Sequence, residues 1–290
     1  MPVQTVYLHG LVRTRDGKKM SKSVPETCID PLESIAEHGT DALRLALIQG
    51  TGPGQDLRLY PEKMESCRRF ANKIWNAGRY ILLTIPLGTP TAPPEKVHSE
   101  LAQWLLHGLN DLIRHSQTGL EAHRLSDVVD SLRSFFWGEF CDWYLEMDKK
   151  PERTDEDNQV LAYSYSTLLK LMHPYVPFVT EALWEQFKQP KMLAVSEWPQ
   201  EQSYSFSESH NRIELLREAI SQIRTLREKA NIGLDKKIGA TLDSEKNAEL
   251  FRTHQNLIIR LARLSELEIN EKTPDSSRDN LGAYFNETLA

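Results

Sequence analysis

The chain has 290 residues, 40% of them hydrophobic and 26% charged, with 14 glycines and 15 prolines, a balance that belongs to globular proteins and excludes a disordered or fibrous chain. No apolar run approaches the ~18 residues of a membrane-spanning helix, and the N-terminal stretch lacks the basic-then-apolar pattern of a secretory leader, so a soluble, cytoplasmic protein without a membrane partner is expected. The net charge of −6 argues against indiscriminate binding to nucleic acid, yet it is unevenly spread: residues 1–80 carry +3, 81–207 carry −8, 208–265 carry +3 and the remainder −4.

Residues 5–12 (TVYLHGLV) are branched and apolar and predict a short strand, and Asp16-Gly17 then reverses the chain before Lys18 and Lys19. Asp30 is placed to cap a helix opened by Pro31, with Glu33 in the capping-box position and Gly39 stopping it in a left-handed conformation. A second helix from Thr40 dies in Gly50-Thr51-Gly52-Pro53-Gly54. From Pro61, Cys67, Phe70, Ala71, Ile74, Trp75, Gly78, Ile81 and Leu82 recur at helical steps as one buried stripe. Arg68, Arg69, Asn72, Lys73, Asn76 and Arg79 fall on the other side. Pro86 to Pro94 reads as a stiff linker. Helices are predicted over 97–118, 125–148, 158–172 and 175–188, the third broken at His173-Pro174 because the residue before proline leaves the helical region. Together they make a bundle with an aromatic core stripe of Phe135, Phe136, Trp137, Phe140, Trp143 and Tyr144. A helix over 208–229, a strand over 238–242, a helix over 246–264 and the fragment Leu267-Glu268-Ile269 predict a small α/β appendage. The fold class is therefore mainly α, a helical bundle with short flanking pieces.

Hydrolase and metal signatures are absent: there is no G-x-S-x-G, H-E-x-x-H, Walker loop or dinucleotide fingerprint, and no metal site is expected. Cys28, Cys67 and Cys141 are odd in number and far apart, which predicts reduced thiols, mostly packed. The stretch from Gly17 to Ser23 is different. It gathers three ammonium groups, two hydroxyls and backbone donors into a loop after a strand, which suits a polyphosphate; the plain alternative is a solvated basic turn. Lysine supplies compact point charges on flexible stems, able to follow charge that develops on a leaving group.

Lys19-Met20-Ser21-Lys22-Ser23 is the KMSKS signature of class I aminoacyl-tRNA synthetases, and the chain resembles that family well beyond it. Val6-Tyr7-Leu8-His9-Gly10 precedes the signature and Ile29-Asp30-Pro31 follows it. Then come Gly39-Thr40-Asp41-Ala42-Leu43-Arg44, Gly54-Gln55-Asp56, and Phe70-Ala71-Asn72-Lys73-Ile74-Trp75-Asn76-Ala77. Phe140-Cys141-Asp142-Trp143-Tyr144-Leu145-Glu146 and His173-Pro174-Tyr175-Val176-Pro177-Phe178-Val179-Thr180-Glu181 complete the series, in order, over about residues 3 to 270. The last string is shared by the valine, isoleucine and leucine enzymes, whereas Gln55-Asp56 and the Cys-Asp-Trp-Tyr string look like the valyl members.

The resemblance implies a division into residues 1–58, the end of a catalytic domain with the KMSKS loop and the start of a stem-contact region; 59–205, an anticodon-binding helical bundle; and 206–290, the α/β appendage. It implies that Lys19 and Lys22 are catalytic, stabilising the transition state in which the amino-acid carboxylate attacks ATP, within an ATP-binding loop of Lys19, Met20, Ser21, Lys22 and Ser23. It implies tRNA(Val) as partner, with valine, ATP and Mg2+ handled only with a catalytic half that this chain lacks, and neither a tightly bound cofactor nor DNA as partner. Candidate tRNA contacts are Arg68, Arg69, Lys73, Arg79, Arg124 and Arg133, with Phe136 or Trp137 as a stacking platform and Arg217, Arg224 and Arg227 as a further stripe. Only His9-Gly10 represents the family's His-Ile-Gly-His motif, so the chain alone is not expected to activate an amino acid. After KMSKS, Val24-Pro25-Glu26-Thr27-Cys28 adds a residue and puts proline where relatives have glycine, which alters how the loop closes over ATP. The competing expectation is a stand-alone paralogue that serves as an RNA- or protein-interaction module.

Overall fold

The computed structural model describes residues 2, 3, 5–21, 28–233 and 235–272. The expectations placed on Lys22, Ser23 and the loop 24–27 lie outside the described residues. Among those described the architecture is mainly α, with two small parallel strand pairs. By backbone contact the chain forms two compact units. One comprises residues up to 97 with 108–143 and 150–204, the other 98–107, 144–149 and residues from 205 onward.

In the first unit the N-terminal strand is shorter than its composition predicts. Only β1 (Val12–Arg13) is strand, paired in parallel with β2 (Leu57–Arg58). The apolar stretch before it has no regular structure and stands open, with Val6 73% and Leu8 71% exposed. The turn at Asp16-Gly17 forms as expected: Gly17 has φ 85°, its N–H donates to Thr14 O, and Lys19 comes back antiparallel to Arg13. Helix α1 (Pro31–His38) is capped by Asp30, whose carboxylate accepts from the Leu32 and Glu33 amides. Gly39 ends it at φ 92° and ψ 154°, a positive-φ extended turn and not the left-handed helical one, from which α2 (Thr40–Ala46) starts at once.

Helix α3 (Pro61–Thr84) buries Cys67, Phe70, Ile74, Gly78 and Ile81. Trp75, read as part of that stripe, is instead 41% exposed, because a residue next to Ile74 lies 100° around the helix from it. The stretch Pro86 to Pro94 is pinned along its length and is no free spacer: Thr91 Oγ1 accepts from Gln189, Ala92 O from Gln159, and Pro94 O from the Tyr204 hydroxyl. Helices α4 (Glu100–Glu121), α5 (Leu125–Ser134), α7 (Asp155–Met172) and α8 (Pro177–Gln186) follow the predicted order. Between α5 and the short α6 (Leu145–Met147) the chain is wound as a ten-residue π-helix over Phe135–Tyr144, so the helix predicted across 125–148 is continuous but widened.

Helix α7 runs through the centre of this unit, with Leu161, Tyr165, Leu168 and Leu169 fully buried. The Tyr165 ring packs against Phe136 and Phe140 at 6.5 and 6.1 Å, and its hydroxyl donates to Ile74 O at 2.9 Å. Gly78 permits this approach of α3, since a Cβ there would sit 2.5 Å from both the Tyr165 hydroxyl and a Leu183 methyl.

In the second unit α9 (Ser207–Lys229) precedes β3 (Ile238–Asp243), α10 (Ala248–Thr253), α11 (Gln255–Ala262) and β4 (Leu264–Asn270). The strands pair in parallel around the two helices, a compact α/β piece in which the helix predicted over 246–264 is divided at His254. Arg263, at φ 56°, turns α11 into β4.

Candidate functional site

The segment that carries the signature loop is held by backbone fitting tightly against backbone. Gly10 passes so close to Gln55 that a Cβ would lie 1.9 Å from its carbonyl oxygen. One residue on, the Leu11 amide donates to Asp56 at 2.8 Å, and the Arg13 guanidinium pairs with the same carboxylate. The Leu11 amide first, and Arg13 after it, hold the Asp56 carboxyl below its ordinary range. The strings His9-Gly10 and Gly54-Gln55-Asp56 therefore meet and frame the loop. Lys19 and its side chain stand exposed beyond this frame, with Met20 and Ser21 partly covered.

A second pair of strings meets at the base of α8. Asp41 is 8% exposed and accepts from the Phe178 and Val179 amides at 3.1 and 2.7 Å, capping that helix from a distance of 137 residues in sequence. Arg44 donates to Pro174 O at 3.1 Å. Burial pushes the Asp41 carboxyl above its ordinary range, against the pull of the two amides, Arg44 and His173. Burial likewise lowers His173, opposed by Glu181 and Asp41, and His173 Nδ1 lies 2.8 Å from the Thr180 hydroxyl. These motifs lock α2 to α8 and carry no chemistry of their own.

Gln49 is a third joint. Its amide donates to Asp130, its side-chain oxygen accepts from Arg133 at 3.1 Å, and its backbone oxygen accepts from Lys63 at 2.6 Å. Arg133 also donates to Ser66 at 2.9 Å and lies over the Phe70 ring. The guanidinium of Arg133, expected to face tRNA, is instead engaged within the protein, where it ties α5 to the turn after α2 and to α3.

What α3 leaves open is a cationic face. Arg68, Arg69, Asn72, Trp75, Asn76, Arg79 and Tyr80 are all exposed, and no Asp or Glu occurs between Ser66 and Thr84. Lys73 borders it, 3.0 Å from Asp142 and 5.1 Å from the centre of the Trp137 ring. Beneath it, burial pushes the Cys141 thiol up to about 12. Arg124 is exposed in the α4–α5 turn. Phe136 is fully buried, so it cannot serve as a stacking platform; Trp137 is partly open, its ring stacked with that of Phe70. In the second unit Arg227 is 4% exposed and its guanidinium donates to Arg263, Gly233 and Lys236 carbonyls, while Arg224 donates to Leu261 O. Arg217 lies over Trp104 and pairs with Glu214. Arg224 and Arg227 thus hold the C-terminal end of α11, and Arg227 also the loop before β3; burial takes Arg227 out of the proposed stripe, whereas Arg224 is exposed and Arg217 partly open. Trp75 was placed in the buried stripe because a helical stripe read by spacing admits a large apolar side chain near its edge, and Tyr80 was assigned to neither side.

Residues 102–242 match the family of the anticodon-binding domain of tRNA ligase, and residues 1–60 match class I tRNA synthetases (I, L, M and V). The chain carries the anticodon-binding domain of a class I tRNA ligase. Over nearly its whole length it is similar to valine–tRNA ligases. It is 36% identical over 280 residues to that of Solibacter usitatus (strain Ellin6076), covering 94% of this chain and 32% of the relative. It is 36% identical over 291 residues to that of Staphylococcus carnosus (strain TM300), covering 95% and 33%. The chain spans about a third of the length of these curated relatives. Its fold is similar to that of the agnB2 LeuRS of Agrobacterium radiobacter K84, solved as a ternary complex with tRNA and LeuAMS: TM-score 0.54, 19% identity, 67% of this chain and 24% of that one.

Proposed function

We propose that the chain is the tRNA-docking, C-terminal portion of a valine–tRNA ligase, an enzyme that joins valine to tRNA(Val) at the expense of ATP with Mg2+. The observation that carries this reading is the exposed cationic face of α3, which has no Asp or Glu from Cys67 to Thr84 and where Arg68, Arg69 and Arg79 alternate with Asn72, Asn76 and the open ring of Trp75. Guanidinium groups hold phosphates, amides reach base edges and an indole stacks on a base, so one helix face offers the three contacts that RNA accepts. In this reading residues 1–58 finish the catalytic domain, 59–205 form the anticodon-binding bundle and 206–290 the appendage. Lys19, with Lys22, brings positive charge to the ATP phosphates in an active site completed by the rest of the enzyme, and this portion alone does not activate valine.

The test is binding to tRNA(Val) and to an unrelated tRNA across a salt series. Tighter binding of tRNA(Val), weakening steeply with salt, is expected. Replacing Arg68, Arg69 and Arg79 together by alanine should flatten the log–log salt slope by about 2 to 3, since each duplex phosphate contact contributes ~0.9. Binding that is equal for both RNAs and indifferent to salt would refute the reading.

A further inference from the structure

A single carboxylate sits at the head of the cationic face of α3. Glu65 Oε2 lies 3.3 Å from Arg68 Nη1, and its Oε1 lies 4.0 Å from Arg69 Nη1. The same Oε2 is 3.7 Å from Nδ1 of His38, the last residue of α1. That side chain is 6% exposed, and its Nδ1 is buried without a hydrogen-bond partner. A buried polar atom left unpaired is costly, so its position beside a carboxylate just beyond hydrogen-bond reach calls for a reason. The ring's other nitrogen, Nε2, lies 3.7 Å from Glu37 of its own helix. The carboxylates facing the ring among the described residues are thus Glu37 and Glu65, with Arg68 and Arg69 behind Glu65. Of the charged groups on the adjoining α2, Asp41 is turned to the Phe178 and Val179 amides and Arg44 to Pro174 O.

We propose that Glu65 holds the place of an RNA phosphate in the free protein, and that a phosphate arriving on Arg68 and Arg69 displaces it towards His38, which takes up a proton as the RNA docks. The inference rests on the reading of α3 as an RNA face. Exposed Arg–Glu pairs contribute little to stability, whereas a phosphate offers guanidinium the same geometry with more charge and releases counterions. The exchange is downhill. A displaced carboxylate would be left without its cations, and the one group within reach that can become cationic near neutrality is His38. One proton passes from solvent to the ring nitrogen that lacks it, and the Glu65–His38 contact closes to an ion pair.

Calorimetry of the chain with tRNA(Val) at pH 7, in two buffers of different ionisation heat, counts the protons: an uptake of roughly half a proton per complex is expected, the slope that the affinity change below requires. Affinity should rise about tenfold from pH 8 to pH 6. His38→Gln should abolish the uptake and flatten the pH dependence while keeping the salt dependence. Glu65→Gln should bind more tightly than the wild type at pH 8, because nothing then competes for Arg68 and Arg69. An NMR reading of the His38 ring in the wild-type protein, moving towards imidazolium when tRNA is added, supports the mechanism without any variant. A salt-dependent complex that takes up no proton, or a His38→Gln variant with the full pH dependence, overturns the proposal and leaves the RNA face standing. Absence of tRNA binding, or binding indifferent to Arg79→Ala, which does not touch Glu65, removes the RNA face and this proposal with it.

Discussion

Asp41 shows how much one buried side chain can carry. Two backbone amides of α8 depend on its carboxylate. Asp41→Ala leaves both donors buried and unpaired, and a loss of about 1–3 kcal/mol is expected; urea unfolding followed by circular dichroism measures it. The thiols give a second prediction. Cys28 is exposed, whereas Cys67 and Cys141 are buried and burial raises both, the second to about 12. A maleimide at pH 7.5 should therefore label Cys28 in the native protein and reach all three cysteines only after unfolding, with intact-mass spectrometry counting the adducts; rapid native labelling of Cys141 would contradict the burial described. At this scale the local rules read well where one residue decides. Asp30 before a proline and Gly17 in a turn are settled by backbone chemistry within four residues. Phe136 was legible as core, whereas the orientation of Arg133 and Arg227 was not, because it is decided by a partner 67 residues away, as for Arg133 and Ser66, or by a loop folded back, as for Arg227.

Helix α7 begins with a reciprocal cap: the Thr154 hydroxyl accepts from the Asp157 amide at 3.2 Å, and the Asp157 carboxylate accepts from the Thr154 amide at 2.7 Å. Burial opposes ionisation of Asp157, yet hydrogen bonds from Lys150 and Thr154 prevail and keep its carboxyl below the ordinary value. A depressed carboxyl stabilises the fold above its unfolded value, near 3.9, and that contribution fades as pH falls through the folded value. Thr154→Ala should cost about 1 kcal/mol at neutral pH. Asp157→Asn should show a smaller loss of stability than the wild type as pH drops from about 4 downward, read from thermal melts in a pH series. The helices themselves were legible because 3.6-residue periodicity and proline positions bound them. The π-wound stretch was not, since a shift from i+4 to i+5 bonding leaves no clear mark in apolar spacing where aromatic residues crowd the stretch from Phe135 to Tyr144. The split of α10 from α11 at His254 was hidden for a related reason, since neither glycine nor proline announces it.

On the scale of the whole chain, the charge partition pointed to a nucleic-acid partner only in outline. The +3 of residues 1–80 materialises in part as the exposed side of α3, whereas within residues 208–265 Arg224 and Arg227 turn to carbonyls at the end of α11 and most other cations stand exposed. Net charge per segment cannot distinguish these, because it does not say which way a guanidinium turns. Alanine at Arg227 should accordingly lower the melting temperature while leaving the salt slope of tRNA binding unchanged, a separation that titration and calorimetric melting resolve together. The family strings were legible as strings, and what they hold together was not: Gly10 against Gln55 and Asp41 against Phe178 are encounters between distant segments.

That last encounter bears on synthesis. The cap of α8 and the anchoring of Arg44 on Pro174 O join residues 137 and 130 positions apart. At about 5–20 residues per second on the ribosome, the α1–α2 hairpin emerges roughly 7–27 s before its counterpart is made. Throughout that interval α2, whose Ala42, Leu45 and Ala46 are all but inaccessible in the finished molecule, has α1 and α3 to pack on but lacks its contact with α8. Nascent chains stalled before codon 170 should bind trigger-factor-type chaperones through this hairpin, and chains stalled well past codon 190, once the tunnel is cleared, should let go.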